Sequence, residues 1–165
     1  MPRVFAGLAV GNLLVLAATT VLGFLAGAVD SAHHLALGIF SLLLTCLIQV
    51  LAFTYLTVTF KMMTQAIHIG QFPTDPLIQA KSLKKKMARC LGAVFTGILL
   101  VTATGAMNWR DGSNDWFHLV TGVSLVVMLL FVSIQEFTIM VRNAALVDAV
   151  MRRYAHRASV ARRKS

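Results

Sequence analysis

The stretch HLALGIFSLLLTCLIQVLAFTYLTVTF, residues 34–60, decides the class of this protein. It contains no Asp, Glu, Lys or Arg, and it exceeds the roughly 20 apolar residues that a helix needs to cross a bilayer core of about 30 Å. Three further stretches qualify or nearly qualify, at residues 4–28, 90–107 and 116–140, and 90–107 is the shortest of them. The sequence therefore predicts an all-α membrane protein with four transmembrane helices in an up-down bundle.

The composition agrees with this class. Hydrophobic residues make up 58% of the chain, charged residues make up 13%, and the mean hydropathy is +0.77. Soluble domains are nearer half apolar and a quarter charged. Cys46 and Cys90 both fall within or at the edge of apolar segments, so no disulfide framework is predicted.

The basic residues predict the orientation of the chain. Of the 15 Lys and Arg residues, all but Arg110 lie at the start, in residues 61–89 or from Arg142 onward. The positive-inside rule therefore predicts a multi-pass protein of a bacterial-type inner membrane with both termini in the cytoplasm. The net charge of +9 does not indicate nucleic-acid binding, because the basic residues flank spans and form no nucleic-acid motif. Membrane lipids are the partners that this charge favours.

A single domain, residues 1–165, accounts for the whole pattern. No Gly or Pro occurs in the stretch that follows the apolar part of span two until Gly70, and none follows that of span four through Ala155, so both helices are expected to extend into the cytoplasm. Pro73 and Pro76 are expected to break the chain between spans two and three. Residues 61–89 are therefore interpreted as a cytoplasmic basic loop, and residues 141–165 as a basic tail. The outer turns carry helix-capping residues at Asp30, Ser31 and residues 113–115.

Two of the spans begin alike, which indicates two tandem helical hairpins. His34 begins span two and His118 lies near the start of span four. In each case a glycine follows four residues later, a Phe-Thr pair follows nineteen residues later, and a glycine precedes the histidine in the neighbouring span. These repeated positions are Gly38 and Gly122, residues 53–54 and 137–138, and Gly23 and Gly105.

The paired histidines predict a cofactor site. Residues i and i+4 share one helix face, so each histidine has a glycine, with no side chain, one turn deeper. Diagonal helices in a four-helix bundle lie close enough for two imidazoles to reach one metal. We therefore interpret His34, His118, Gly38 and Gly122 as a haem b site in which the two histidines ligate the iron. Alternatives are histidines with no cofactor, a copper site that includes Met107 and Met128, and His33 as the inward ligand.

A second polar layer is predicted deeper in the membrane. Asn12, Gln49, Gln135 and Glu136 fall at a similar depth when helix residues are counted at 1.5 Å each. An ionisable group inside a span is a candidate functional site. Gln49, Asn12 and Arg142 are the candidate partners of Glu136, and quinone binding, proton transfer or simple hydrogen bonding between helices are the candidate roles.

No motif of an independent enzyme occurs: the chain has no P-loop, dinucleotide turn, HExxH, CxxC or CxxCH. The design resembles, in architecture alone, the four-helix membrane anchors of quinone-linked oxidoreductases and small cytochromes b. The leading hypothesis is a respiratory-complex subunit that transfers electrons to or from quinone. A cofactor-free accessory or assembly subunit of a larger complex is the first alternative, and a homo-oligomeric channel or transporter is the second.

Overall fold

A computed structural model describes residues 2–24, 31–111 and 115–162, and it is almost entirely helical. The elements are α1 (Pro2–Phe24), α2 (Ser31–Gly70), α3 (Asp75–Asp111) and α4 (Asp115–Arg162). Each contains a stretch long and apolar enough to cross a membrane: Pro2–Gly23, Ala32–Gly70, Asp75–Met107 and Trp116–Arg157. The predicted all-α class with four potential spans is confirmed. Residues 25–28 of the first predicted span, and the capping residues Asp30, Ser113 and Asn114, lie outside the described residues.

The connection between α2 and α3 is much shorter than the sequence predicts. α2 continues to Gly70, as the sequence predicts, but α3 already begins at Asp75, so residues 75–89, including the basic stretch KSLKKKMAR, are helical rather than part of a loop. Gln71 takes a left-handed backbone conformation (φ 48°) that ends α2. Pro76 lies in the first turn of α3, where a helix does not need the amide hydrogen that proline lacks. Pro76 therefore starts a helix here instead of extending the break.

Contacts at this turn hold the ends of α2 and α4 together. The amide of Phe72 donates to the carbonyl of Ile67 at 3.1 Å, and the Phe72 ring lies against Gly70 so closely that a side chain there would clash. Arg157 of α4 places its guanidinium 4.7 Å from the centre of the Phe72 ring and donates a hydrogen bond to the carbonyl of Gly70. The turn is thereby fixed to the last part of α4.

α2 and α4 are the central helices. Each contacts the other three helices, whereas α1 and α3 do not contact each other within the described residues. The main apolar core runs between α2 and α4 and includes Ala52, Leu56 and Leu129, all at most 2% exposed. A second apolar cluster joins α2, the first turns of α3, and α4; its buried members are Met63, Ala66, Ile67, Ala80 and Val150. The extensions of spans two and four are thus helical, and α3 packs with them.

The two ends of the bundle differ in chemistry, and we name them accordingly. The histidine end contains His34 and His118, and the basic end contains the basic stretch of α3, the turn at residues 71–74 and the last turns of α4. Between these ends, the buried face of α2 carries Ser41, Thr45 and Gln49 at intervals of four residues. Residues at this spacing stack on one helix face. Buried polar side chains therefore form a row along the half of α2 that follows His34, beside the apolar core.

Candidate functional site

His34 and His118 lie against each other between the two central helices. Their ring centres are 6.3 Å apart and the ring planes are inclined by 87°. Both residues are half-buried, whereas the neighbouring His33 is exposed. Of the adjacent histidines, it is therefore His34 that faces His118.

Each histidine ring lies against a glycine of the preceding helix. A Cβ atom built on Gly23 of α1 would lie 3.0 Å from Cε1 of His34, and one built on Gly105 of α3 would lie 2.9 Å from Cε1 of His118. Distances of this size are tighter than ordinary contacts of a Cβ atom. Both glycines therefore allow an imidazole to approach the backbone of the neighbouring helix, and the same contact occurs between α1 and α2 and between α3 and α4.

Hydrogen bonding distinguishes the two rings. Nδ1 of His118 lies 3.3 Å from the hydroxyl of Thr104, which in turn lies 2.9 Å from the hydroxyl of Thr121. The Thr104 hydroxyl is also within donating distance of the carbonyls of Leu100 and Val101 in its own helix. If the Thr104 hydroxyl donates its proton to one of these carbonyls or to Thr121, its oxygen can only accept a hydrogen bond from His118. Nδ1 of His118 then carries the ring proton, and Nε2 carries the lone pair. Nδ1 of His34 is buried and has no hydrogen-bond partner.

Of the glycines one turn deeper than the histidines, Gly122 has open space beside it and Gly38 is in ordinary contact with a neighbouring side chain. A Cβ atom on Gly122 would have no neighbour within 4 Å, and one on Gly38 would meet only the methyl group of Thr19, at 3.9 Å. No group of three or more His, Cys, Asp or Glu side chains that could hold a metal occurs among the described residues. Met107 is 59% exposed, and the Met128 side chain packs over Gly97 of α3. A metal here would therefore depend on two imidazoles.

The deeper polar layer divides into three separate contacts. Gln49 of α2 donates from Nε2 to Oε2 of Glu136 at 3.1 Å. Asn12 of α1 pairs instead with Thr45, one turn before Gln49, at 2.9 Å. Of the three partners considered for Glu136, Gln49 is the one that contacts it.

Gln135 does not join these buried groups. It is exposed, and its Oε1 accepts from the thiol of Cys90 of α3 at 3.7 Å. It lies at an open groove of about 610 Å³ between α3 and α4, whose basic lining residues are Lys86, Arg89 and Arg142. The four polar residues of the predicted layer thus occupy different surroundings.

Several residues of these sites are missed by the sequence reasoning. Thr104 and Thr121 carry no sequence signal, because threonines in apolar helices usually bond to their own backbone. Asn143 is 1% exposed and donates to Thr59 of α2 at 2.8 Å. Its position seven residues, or two helical turns, after Glu136 is a signal that could have found it.

No protein-family model matches this sequence, and its comparison with curated proteins and with solved structures gives no match.

Proposed function

We propose that this protein is a haem b subunit of a membrane redox complex, with His34 and His118 as the two ligands of one iron. The separation of the two rings, 6.3 Å between centres, carries the proposal. A bond of about 2.0–2.1 Å from each imidazole nitrogen to a metal, added to the radii of the two rings, gives ring centres about 6 Å apart. The spacing therefore fits one metal between the rings.

The surroundings of the two rings support the same conclusion. A ligating histidine commonly uses its second nitrogen to donate to a neighbouring group, as His118 can with Thr104. Nδ1 of His34 is buried without a hydrogen-bond partner, and a bound ligand or a shift of the ring would give it one. The open space beside Gly122 is where a flat ligand would extend from the metal. These residues fit a haem better than an isolated small ion, since no third ligand stands nearby among the described residues.

The proposal includes a topology. The four helices form an up-down bundle of two tandem hairpins, supported by the repeated contacts of Gly23 with His34 and of Gly105 with His118. The basic end lies in the cytoplasm of a bacterial-type cell, following the positive-inside rule, with both termini on that side. The haem then lies near the outer face of the inner membrane.

The proposed role is electron transfer with a partner subunit rather than independent catalysis. The 17 residues from His118 to Gln135 correspond to about 26 Å along a helix, so the groove beside Gln135 is far from the proposed haem. Gln49 and Glu136 are bonded to each other and almost completely buried. We therefore assign quinone binding to a partner subunit and not to this chain.

The deciding experiment is a reduced-minus-oxidised optical spectrum of the purified protein, supplied with haem during expression. A b-type spectrum is expected at one haem per chain. His34→Ala and His118→Ala should each abolish it, because each removes one axial ligand. His33→Ala is the matched control and should keep the spectrum, since that side chain is exposed and adjacent in sequence.

Two other results would favour the alternative functions. A folded protein with no haem band that copurifies with a larger complex would indicate a cofactor-free accessory subunit. Ion or solute flux in proteoliposomes that Glu136→Gln changes would indicate a channel or transporter. Loss of the spectrum in His33→Ala alone would show that the wrong histidine has been assigned.

A further inference from the structure

Glu136 is the most deeply buried ionisable group of the spans, and it has one partner. Its side chain is 0% exposed, and the Nε2 group of Gln49, itself 3% exposed, donates to its Oε2 at 3.1 Å. The second oxygen of Glu136 is buried and has no hydrogen-bond partner, and the carbonyl oxygen of Gln49 is in the same condition. Two acceptor oxygens on two bonded side chains are thus left without a donor.

Among the residues that the structure describes, no cation is positioned to neutralise a carboxylate at this point. α1 contributes Asn12, which is neutral and bonded to Thr45, and α3 contributes Cys90, whose thiol bonds to Gln135. Arg142 of α4 is exposed and makes no bond to Glu136. An unpaired carboxylate inside a span is strongly unfavourable, since its loss of hydration is not compensated.

A single proton would correct both deficiencies at once. A carboxylic acid has one O–H donor and one carbonyl acceptor on the same carbon, and a primary amide has an N–H donor and a carbonyl acceptor in the same arrangement. The two groups can therefore close a ring with two hydrogen bonds. The amide donates to one oxygen of the acid, as Gln49 does here, and the acid donates to the amide oxygen.

We propose that Glu136 is a proton-binding site, in which the neutral acid is held by Gln49 in a ring of two hydrogen bonds between α2 and α4. The ligand is a proton, and the donor that both orphan oxygens lack is the acid O–H of Glu136. The site is separate from the histidines, since Glu136 lies 18 residues after His118 in α4, which is about 27 Å of helix. It does not depend on the proposed haem.

Glu136 is the only glutamate in the chain, which allows a direct test on the full-length protein. Protein made by cell-free synthesis with glutamate ¹³C-labelled at its side-chain carboxyl carbon is placed in lipid nanodiscs at neutral pH. Its infrared spectrum is then compared with that of unlabelled protein. A carboxylic-acid C=O band that moves to lower frequency with the label is expected. Carboxylate bands alone at neutral pH would overturn the proposal.

Two variants identify the band and the partner. Glu136→Gln should remove the band while the protein stays folded, because two amides can close the same ring. Gln49→Leu should retain an acid band at higher frequency, since the acid loses both hydrogen bonds to the amide. An unchanged band in Gln49→Leu would show that Gln49 is not the partner. Aspartate labelling is the control, and exposed Asp75 and Asp148 should give carboxylate bands only.

Discussion

The helix pairs α1–α2 and α3–α4 make the same contact between a histidine and a glycine, but the hydrogen bonding of the two histidines differs. In both, a histidine ring lies against a glycine of the preceding helix, and a Cβ atom built on that glycine would lie 3.0 Å from Cε1 of His34 in the first and 2.9 Å from Cε1 of His118 in the second. The residue before the glycine is Thr104 in α3 and Leu22 in α1. Thr104 contacts Nδ1 of His118, whereas Nδ1 of His34 has no partner. The glycines therefore account for the position of the rings, and the neighbouring hydroxyl accounts for the difference in their hydrogen bonding.

Among substitutions that keep both histidines, the largest effect is expected from filling the open space at Gly122. Gly122→Leu adds a side chain where nothing lies within 4 Å of a Cβ atom, so the protein should fold and the guest should be excluded. We expect haem binding to weaken at least a hundredfold, measured by titration of the haem-free protein. Gly7→Leu is the control, since Gly7 also has no neighbour within 4 Å but lies on the exposed part of α1 far from the histidines. Full haem binding by Gly122→Leu would rule out a guest beside this glycine.

Substitution of the contact glycines should have the next largest effect, and a similar one in both helix pairs. Gly105→Ala and Gly23→Ala each place a methyl group about 3 Å from an imidazole Cε1, so the ring must move away. Alanine is the better helix former by about 1 kcal/mol, so thermal stability without haem should not suffer from the backbone. We expect haem affinity to fall about tenfold to a hundredfold, the range typical for disturbed ligand orientation.

Gly92→Ala is the matched control for these variants, because a Cβ atom there meets nothing within 4 Å. It should bind haem as the parent does. If only one of Gly23→Ala and Gly105→Ala weakened haem binding, the two glycine–histidine contacts would not be equivalent.

Removal of the Thr104 hydroxyl should affect His118 and leave His34 unchanged. Thr104→Val preserves the shape of the side chain and removes the contact with Nδ1 of His118, and a lost hydrogen bond of this kind is worth about 1 kcal/mol. We expect haem affinity to fall several-fold and the reduction potential to shift, since an outer partner tunes the basicity of a ligand. Thr102→Val is the control, because exposed Thr102 bonds only to its own helix at Ile98. Equal effects of the two variants would remove Thr104 from the site.

The helices and the facing histidines follow from the sequence because long apolar runs and a repeated His-x-x-x-Gly spacing depend on local composition and periodicity. The two prolines predict a loop at the basic stretch of α3, but a proline in the first turn of a helix is tolerated, so the stretch is helical. Partner selection in the deeper layer is harder to predict. Depth along a helix groups Asn12, Gln49 and Gln135, but helix rotation directs only Gln49 to Glu136.

The smallest expected effect is a gain in haem affinity. It tests whether the two histidines differ because Thr104 has no counterpart in α1. Leu22→Thr gives α1 the residue that α3 has before its glycine, and so offers a hydroxyl to the unpartnered Nδ1 of His34. The new bond should be worth about 1 kcal/mol, less what is lost with the half-buried leucine side chain. Haem affinity should therefore rise about twofold to fivefold in Leu22→Thr. Leu22→Val is the control, since valine has the shape of threonine without the hydroxyl, and it should show no gain. If both variants bind haem equally well, His34 does not lack a hydroxyl partner. The partner of its Nδ1 must then be the bound haem itself.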